Sequence, residues 1–384
     1  MTTLGKSTET QADAPEEYFE SRATDVEVET EVPPSDEPKP WDPEKIRIHT
    51  KHYSLRQLVD MITDGDIDLA PDFQRHYVWK PRQRWSLIES LLLGIPLPSF
   101  YFNENTSGLL QVVDGVQRLT TIFEYVTQKS FALGPVTYLH DLEGRGFDDL
   151  AAMFRRRLNS AQFVAHVIDP QTPHRVKFEI FRRINTGGSP LSAQEIRHCM
   201  SGARSRAFLK RLTADQSFTI ATGGAVAGHP RMADLEMVLR FVGFRLFTPD
   251  EYALHASFDE FLGFVTQQLD NPAGPDLERL HADFVRGMTN CHAVFGDHAF
   301  RKWPKGTDRR NPINRALFES WGTVLADCDA TKVKTGAAEL ARLARHMMRH
   351  DFGFIDAISG STGDVRNVRT RLQRVRSAVK EVLR

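Results

Sequence analysis

Val112-Val113-Asp114-Gly115-Val116-Gln117-Arg118-Leu119-Thr120-Thr121 carries the sharpest local signal in the chain. Two β-branched residues end a strand, and Asp114-Gly115 turns a corner. Gln117-Arg118 then opens a helix continued by Leu119, Ile122, Phe123 and Val126. A strand–glycine–helix corner leaves backbone N–H groups and the positive end of a helix dipole open to an anion. This corner adds a carboxylate, an amide and a guanidinium within five residues, a set suited to phosphate and metal chemistry. The same residues also read as a plain turn, with Asp114 an N-cap and Arg118 a surface charge. The stretch alone leaves both readings open.

A length of 384 residues predicts about two domains, and 41% hydrophobic with 26% charged residues is a globular composition. No run approaches the roughly 18 apolar residues that span a bilayer, so no membrane partner is expected. The N-terminus is acidic and polar, without an apolar signal segment. Cys199, Cys291 and Cys328 are odd in number and widely spaced, which argues against a disulfide framework or zinc pattern and for a reducing cytoplasm. The net charge of −1 conceals an asymmetry. Residues 1–44 hold 13 acids and 3 bases, leaving 37 acids and 46 bases in the body. A basic body suits an anionic partner such as nucleic acid or nucleotide, although a general solubility charge looks the same. The first 44 residues, rich in Glu, Thr and Pro, read as a disordered acidic tail. Gly5-Lys6-Ser7 within it lacks the earlier glycine and preceding strand of a phosphate loop.

Ile46-Arg47-Ile48 reads as a short strand. Ser54 and Gln57 form a capping box for a helix with Leu55, Leu58, Val59 and Ile62 on one face, ended by Asp64-Gly65. The segment Pro71-Asp72-Phe73-Gln74-Arg75-His76-Tyr77-Val78-Trp79 has no period and is dense in polar and aromatic groups, like a binding loop or a packed aromatic loop. Pro81 opens the next helix and Gly94 stops it. Phe100-Tyr101-Phe102 and Leu109 to Val113 read as paired strands. Phe131-Ala132-Leu133 and Phe163 to Ile168 read as further strands. Thr172-Pro173 opens a helix leading to Phe181-Arg182-Arg183-Ile184-Asn185-Thr186-Gly187-Gly188-Ser189-Pro190-Leu191-Ser192. Asn185 and Gly187-Gly188 suit an anion-binding nest and equally a helix–turn–helix corner. Ser192 and Glu195 form a second capping box. From residue 203 onward the periodicity predicts helices near 203–213, 231–246, 257–269, 276–294, 313–326, 332–349 and 364–383. The last of these is basic, with Arg366, Arg369, Arg371, Arg374, Arg376 and Lys380, a pattern that most often marks a solvated face.

Three motifs stand in fixed order: Pro71-Asp72-Phe73-Gln74-Arg75 with Trp79, Asp114-Gly115-Val116-Gln117-Arg118-Leu119-Thr120, and Phe181 to Gly188 with Leu191-Ser192 and Glu195-Ile196-Arg197. As a set they resemble the N-terminal domain of GmrSD-type restriction proteins, a ParB/sulfiredoxin-like family also known as domain of unknown function 262. The resemblance covers about residues 50–200. It implies an α+β chain, with a ParB-like mixed α/β domain over residues 45–200 and an all-helical domain over 201–384. It further implies a domain that binds, and in some members hydrolyses, a nucleoside triphosphate within prokaryotic anti-phage defence acting on DNA. On this resemblance Asp114, Gln117 and Arg118 are the catalytic set. Asp114 would hold Mg²⁺, Gln117 would orient a water, and Arg118 with Arg75 would clamp phosphate. Gln74, Arg75, Gly115, Thr120, Asn185, Gly187 and Gly188 would line the nucleotide site.

One position departs from the family's usual Asp-Gly-Gln-Gln-Arg, because Val116 replaces the first glutamine. A polar role at that position would put hydrolysis in doubt, whereas a core-facing position would make valine harmless. The second half shows no nuclease signature, and His281, His292 and His298 are scattered. A separate nuclease effector and a homo-oligomer are therefore entertained as partners alongside DNA. Two rivals stand beside the NTPase reading: a DNA-binding adaptor with a decayed nucleotide site, and a metal-dependent nickase using Asp114.

Overall fold

The computed structural model of the chain describes residues 15–19, 21–29, 46–69, 79–105, 107–184, 191–304 and 309–384. The described residues 46–201 form one compact unit. Residues 15–29 together with 202–384 form the other. The described chain opens with an antiparallel hairpin of β1 (Glu16–Phe19) and β2 (Arg22–Glu27), which belongs to the second unit.

The first unit is built on β3 (Ile48–Ser54), α1 (Leu55–Asp64), β4 (Ile67–Asp68), α2 (Pro81–Leu93), β5 (Phe100–Glu104), β6 (Leu110–Asp114), α3 (Val116–Phe123), α4 (Ala152–Ser160), β7 (Gln162–Ile168), α5 (His174–Ile184) and α6 (Ala193–Cys199). Its five strands lie in the order β3-β7-β5-β6-β4. The β3–β7 and β5–β6 pairs are antiparallel, and the β5–β7 and β4–β6 pairs are parallel. One face of the sheet buries Phe100, Phe102, Val112, Phe163, Ala165 and Val167 against Leu58 of α1, Ile88 and Leu92 of α2, Leu119 and Ile122 of α3 and Leu158 of α4. The capping boxes at Ser54 and Ser192, Pro at the start of α2, and the left-handed Gly65 and Gly94 form as their sequence signals predict.

At one end of the opposite face a buried polar ladder ties α5 and the end of α6 to the strands. Lys177 Nζ donates to Asn103 Oδ1 at 3.0 Å. Asn103 Nδ2 donates to Gln111 Oε1 at 2.9 Å, and Gln111 Nε2 to the Ser201 carbonyl at 3.3 Å. Two strand readings change. The first strand runs over 48–54 rather than 46–48. Its His49-Thr50-Lys51-His52 core is exposed on an edge and so lacks the apolar alternation that marks a half-buried strand. Phe131–Leu133 is not a strand. Leu133 exchanges backbone hydrogen bonds with Gly144 and Arg145, but no ladder extends from them.

The second unit holds α7 (Ala203–Thr213), α8 (Gln216–Thr222), α9 (Ala233–Leu246), α10 (Pro249–Tyr252), α11 (Phe258–Asp270), α12 (Leu277–Phe295), α13 (Arg315–Leu325), α14 (Ala330–His350), α15 (Phe352–Ala357) and α16 (Val365–Val382). The α+β reading therefore stands, with a mixed sheet first and mostly helices after it. The short α8, α10 and α15 span too few residues to show a period. Helix α13 is buried along its whole length and packs against α9, α12 and α16. Arg371, one of the run of bases on the last helix, faces inward and is fully buried. It donates through Nε to Glu319 Oε1 at 2.7 Å and through Nη1 to the Thr362 carbonyl at 2.6 Å.

The expectation of a disordered tail over residues 1–44 is corrected for residues 15–29. The remainder of that segment lies outside the described residues. Val26 is fully buried in the helical core, and its neighbours exchange backbone bonds with Ile313. The acids that suggested disorder are paired. Asp25 receives two bonds from Arg301 at 2.7 and 2.6 Å, Glu17 pairs with Arg315 at 2.9 Å, Glu27 with Lys302 at 2.6 Å, and Glu29 with Arg240 at 2.9 Å. Burial pushes the Glu29 carboxyl upward, but Arg240 and Arg315 outweigh it and hold the group below its ordinary 4.5. A depressed folded-state pKa stabilises above the unfolded value and is lost as pH falls through the folded one. Glu29→Gln is thus expected to lower stability by about 3 kcal/mol at pH 7 and by less at pH 3, below the ordinary carboxyl value, where the charge is being lost. Denaturant titrations at both pH values check this, and an equal loss at both would remove the ion-pair account.

Candidate functional site

The strand–glycine–helix corner forms where the sequence places it, and a bulge aims it. Tyr101 pairs with Asp114 while Phe102 pairs with Val112, so Val113 is an extra residue on β6. The bulge turns Asp114 to the face opposite the main core, beside Tyr101. Gly115 then takes φ +100°, and a Cβ there would stand 2.3 Å from Cδ1 of the buried Phe100 ring. Only glycine fits on both counts.

Gly115, not Asp114, is the N-cap of α3, and no side chain caps this helix. The first backbone bond of the helix is from the Leu119 N–H to the Gly115 carbonyl. The N–H groups of Val116, Gln117 and Arg118 therefore point outward at the positive end of the helix. Asp114 instead accepts from Arg118 Nη2 through Oδ2 at 2.8 Å, and its Oδ1 has no partner among the described residues. Arg118 is 12% exposed at its side chain. It also donates through Nη1 to the Pro98 carbonyl and through Nη2 to the Ser99 carbonyl at 3.2 Å, and it lies 4.7 Å over the Phe100 ring. Burial pulls its pKa below the usual guanidinium value, opposed by Asp114. Arg118 is thus neither a free surface charge nor an open phosphate clamp. It staples the corner to the loop before β5.

Gln117 is half-buried, and its Oε1 is fully buried with no protein hydrogen-bond partner. A buried acceptor left unpaired costs on the order of 1–3 kcal/mol, so this amide has bonding capacity to spare. Val116 is half-buried and packs against the main core of the unit. The position at which the chain departs from the family pattern therefore faces the core. Thr120 lies a turn further along α3, half-buried. Gln74, Arg75, Asn185, Gly187 and Gly188 all lie outside the described residues.

The sheet register adds residues that the sequence reading passed over. Thr50 pairs with His166, His166 with Tyr101, and Tyr101 with Asp114, so four adjacent strands present one row across the same face. The Tyr101 and His166 rings stand 4.9 Å apart, and Thr50 Oγ1 is 3.1 Å from His166 Nδ1. Tyr101 and His166 remain half-exposed. The available signal was a polar-tipped ring at the outward position of each apolar strand, Phe-Tyr-Phe and Val-Ala-His-Val. Among the described residues no group of three or more His, Cys, Asp or Glu side chains converges as a metal site.

The fold and this corner define an α+β domain with an anion-receptive helix terminus beside a polar strand row. Residues 55–200 match the family described as GmrSD restriction endonuclease, N-terminal domain. No curated protein and no solved structure matches the chain. No helix among the described residues is long and apolar enough to cross a membrane.

Proposed function

We propose that the first unit binds a nucleoside triphosphate at the Asp114–Arg118 corner and hydrolyses it, as part of a restriction-type prokaryotic defence protein acting on DNA. The carrying observation is the uncapped α3 terminus, whose three unbonded backbone N–H groups belong to the same five-residue corner as an unpartnered Asp114 oxygen and the spare Gln117 amide. Phosphate oxygens take the N–H groups. Asp114 would hold Mg²⁺, an ion that accepts few carboxylates and would supply neutralisation of phosphate charge. Gln117 orients the attacking water. Arg118 is a positioning residue that holds Asp114 and the corner, and Tyr101 with His166 offers a ring edge to the nucleoside. The core-facing Val116 removes no group from this surface, which supports hydrolysis over a decayed site. The family match supports the restriction context and, through it, DNA as a partner.

Phosphate release from each of the four ribonucleoside triphosphates with Mg²⁺, with and without DNA, tests the reading. Gln117→Ala is expected to lower turnover about 100-fold or more while leaving nucleotide binding within a fewfold. Tyr101→Ala is expected to raise KM more than it lowers kcat. Turnover unchanged in both Gln117→Ala and Asp114→Asn would sink the assignment. DNA nicking that needs Mg²⁺ but no nucleotide would replace it with the nickase.

A further inference from the structure

We propose that α16 is a docking surface for the phosphate backbone of duplex DNA. The proposal rests on the DNA half of the reading above and assigns that contact to the helical unit. Helix α16 is strongly two-sided. Val368, Arg371, Leu372, Val375, Ala378 and Val379 are buried, with Arg371 neutralised by Glu319. On the opposite side Arg366, Arg369, Gln373, Arg376 and Lys380 are all exposed. At 3.6 residues per turn these five fall within roughly 80° of arc, in a line about 21 Å long. The line holds only hydrogen-bond donors of positive charge and one amide.

Three features separate this stripe from a general solvated face. First, Arg366, Arg376 and Lys380 have no acidic partner among the described residues, whereas the same helix pairs Arg371 with a buried acid. Second, Arg366 sits in the first turn, where the helix dipole disfavours a cation, and the first turn contains no acid. Helix stability does not explain it. Third, the acids near the helix leave the stripe largely open. Asp250 pairs with Arg369 at 2.7 Å in an exposed contact that phosphate can displace. Asp351 engages Arg374 at 3.0 Å, off the line. Glu381 bears on Arg342 of α14. A line of about 21 Å reaches both phosphate walls of a major groove about 12 Å wide. Four of its five side chains are cations, and three are guanidinium groups, which match phosphate in bidentate geometry.

The test is fluorescence anisotropy of a labelled 20-base-pair duplex with the full chain across a salt series. The variant Arg366→Gln/Arg376→Gln/Lys380→Gln is compared with a control of equal charge loss in the same unit, Arg279→Gln/Lys332→Gln/Lys334→Gln. The stripe variant is expected to bind at least tenfold more weakly at low salt, with a log–log salt slope shallower by about 2.7. The control is expected to stay within twofold. Far-ultraviolet circular dichroism should be unchanged, since all three residues are exposed. Equal losses in both variants would reduce the effect to net charge and overturn the docking site. So would stripe-variant binding equal to wild type, although DNA binding elsewhere would then stand. A wild-type chain that ignores duplex but binds phosphatidylglycerol vesicles overturns it in favour of a membrane surface. Nucleotide turnover measured on the same variant should match wild type, which keeps this result separate from the Asp114–Arg118 site.

Discussion

A chain lacking residues 1–29 is expected to lose cooperative folding of its helical unit. Val26 contributes a fully buried side chain to the helical core, about 1.5–3 kcal/mol by burial alone. The larger effect is electrostatic. Arg301 and Arg315 are 3% and 6% exposed, and Arg240 is 4% exposed. Their acidic partners Asp25, Glu17 and Glu29 would all be gone. Removing one partner of a buried pair typically costs 3–5 kcal/mol, because the remaining charge stays desolvated. Glu236 stays near Arg240 and Arg315 and softens two of the three losses. A total on the order of 5–10 kcal/mol equals the whole stability of an ordinary domain. Differential scanning calorimetry checks it, and Val26→Asp in the full chain gives a milder version of the same loss. A truncated chain with the full-length thermal midpoint would reduce the hairpin to a decoration.

Gly115→Ala is expected to destabilise the first unit by roughly 2–4 kcal/mol and to abolish nucleotide binding together with it. The new Cβ meets Phe100 Cδ1 at 2.3 Å and Cε1 at 2.7 Å, and Phe100 is fully buried among Phe102 and Phe163. The ring cannot retreat without disturbing β5. The left-handed backbone adds its own strain for any residue with a side chain. Arg118 Nη2 lies 3.2 Å from the same Cβ, so the Asp114–Arg118 pair shifts as well. Urea denaturation and nucleotide titration of the one variant read both effects. A stable variant that still binds nucleotide would detach the corner from the site.

Phe100 connects these observations. It supports the Arg118 guanidinium from below, fills the space that a Cβ on Gly115 would need, and belongs to the main core. The geometry of the corner is therefore coupled to the packing of the sheet. This explains why a positively charged residue at the corner is spent on two backbone carbonyls and one carboxylate. It is structural on its inner side and leaves the backbone N–H groups of α3 as the groups open to an anion.

Local signals in the chain carried far. Ser54, Ser192 and Ser257 cap helices, Pro81 opens α2, and Gly65 and Gly94 close helices in left-handed conformations, each set by residues within one turn. The corner at Asp114-Gly115 and the long helices of the second half are local in the same sense, because their periods and breakers lie within a few residues. The α+β class, the three ordered motifs and most of the long helices were consequently present in the amino-acid sequence by itself. Tertiary structure alone decided the rest. The acids of residues 15–29 could not be told from a solvated tail until Arg240, Arg301 and Arg315 were brought to them from more than 200 residues away. Arg371 and Arg376 look alike in the sequence, and only packing makes one a buried counter-ion and the other an exposed donor. Tyr101 and His166 joined Asp114 only through strand register, which is set by pairing across the sheet. Charge is written in the sequence, but the desolvation that turns a charge into a structural staple or a binding group exists only once the chain has folded around it.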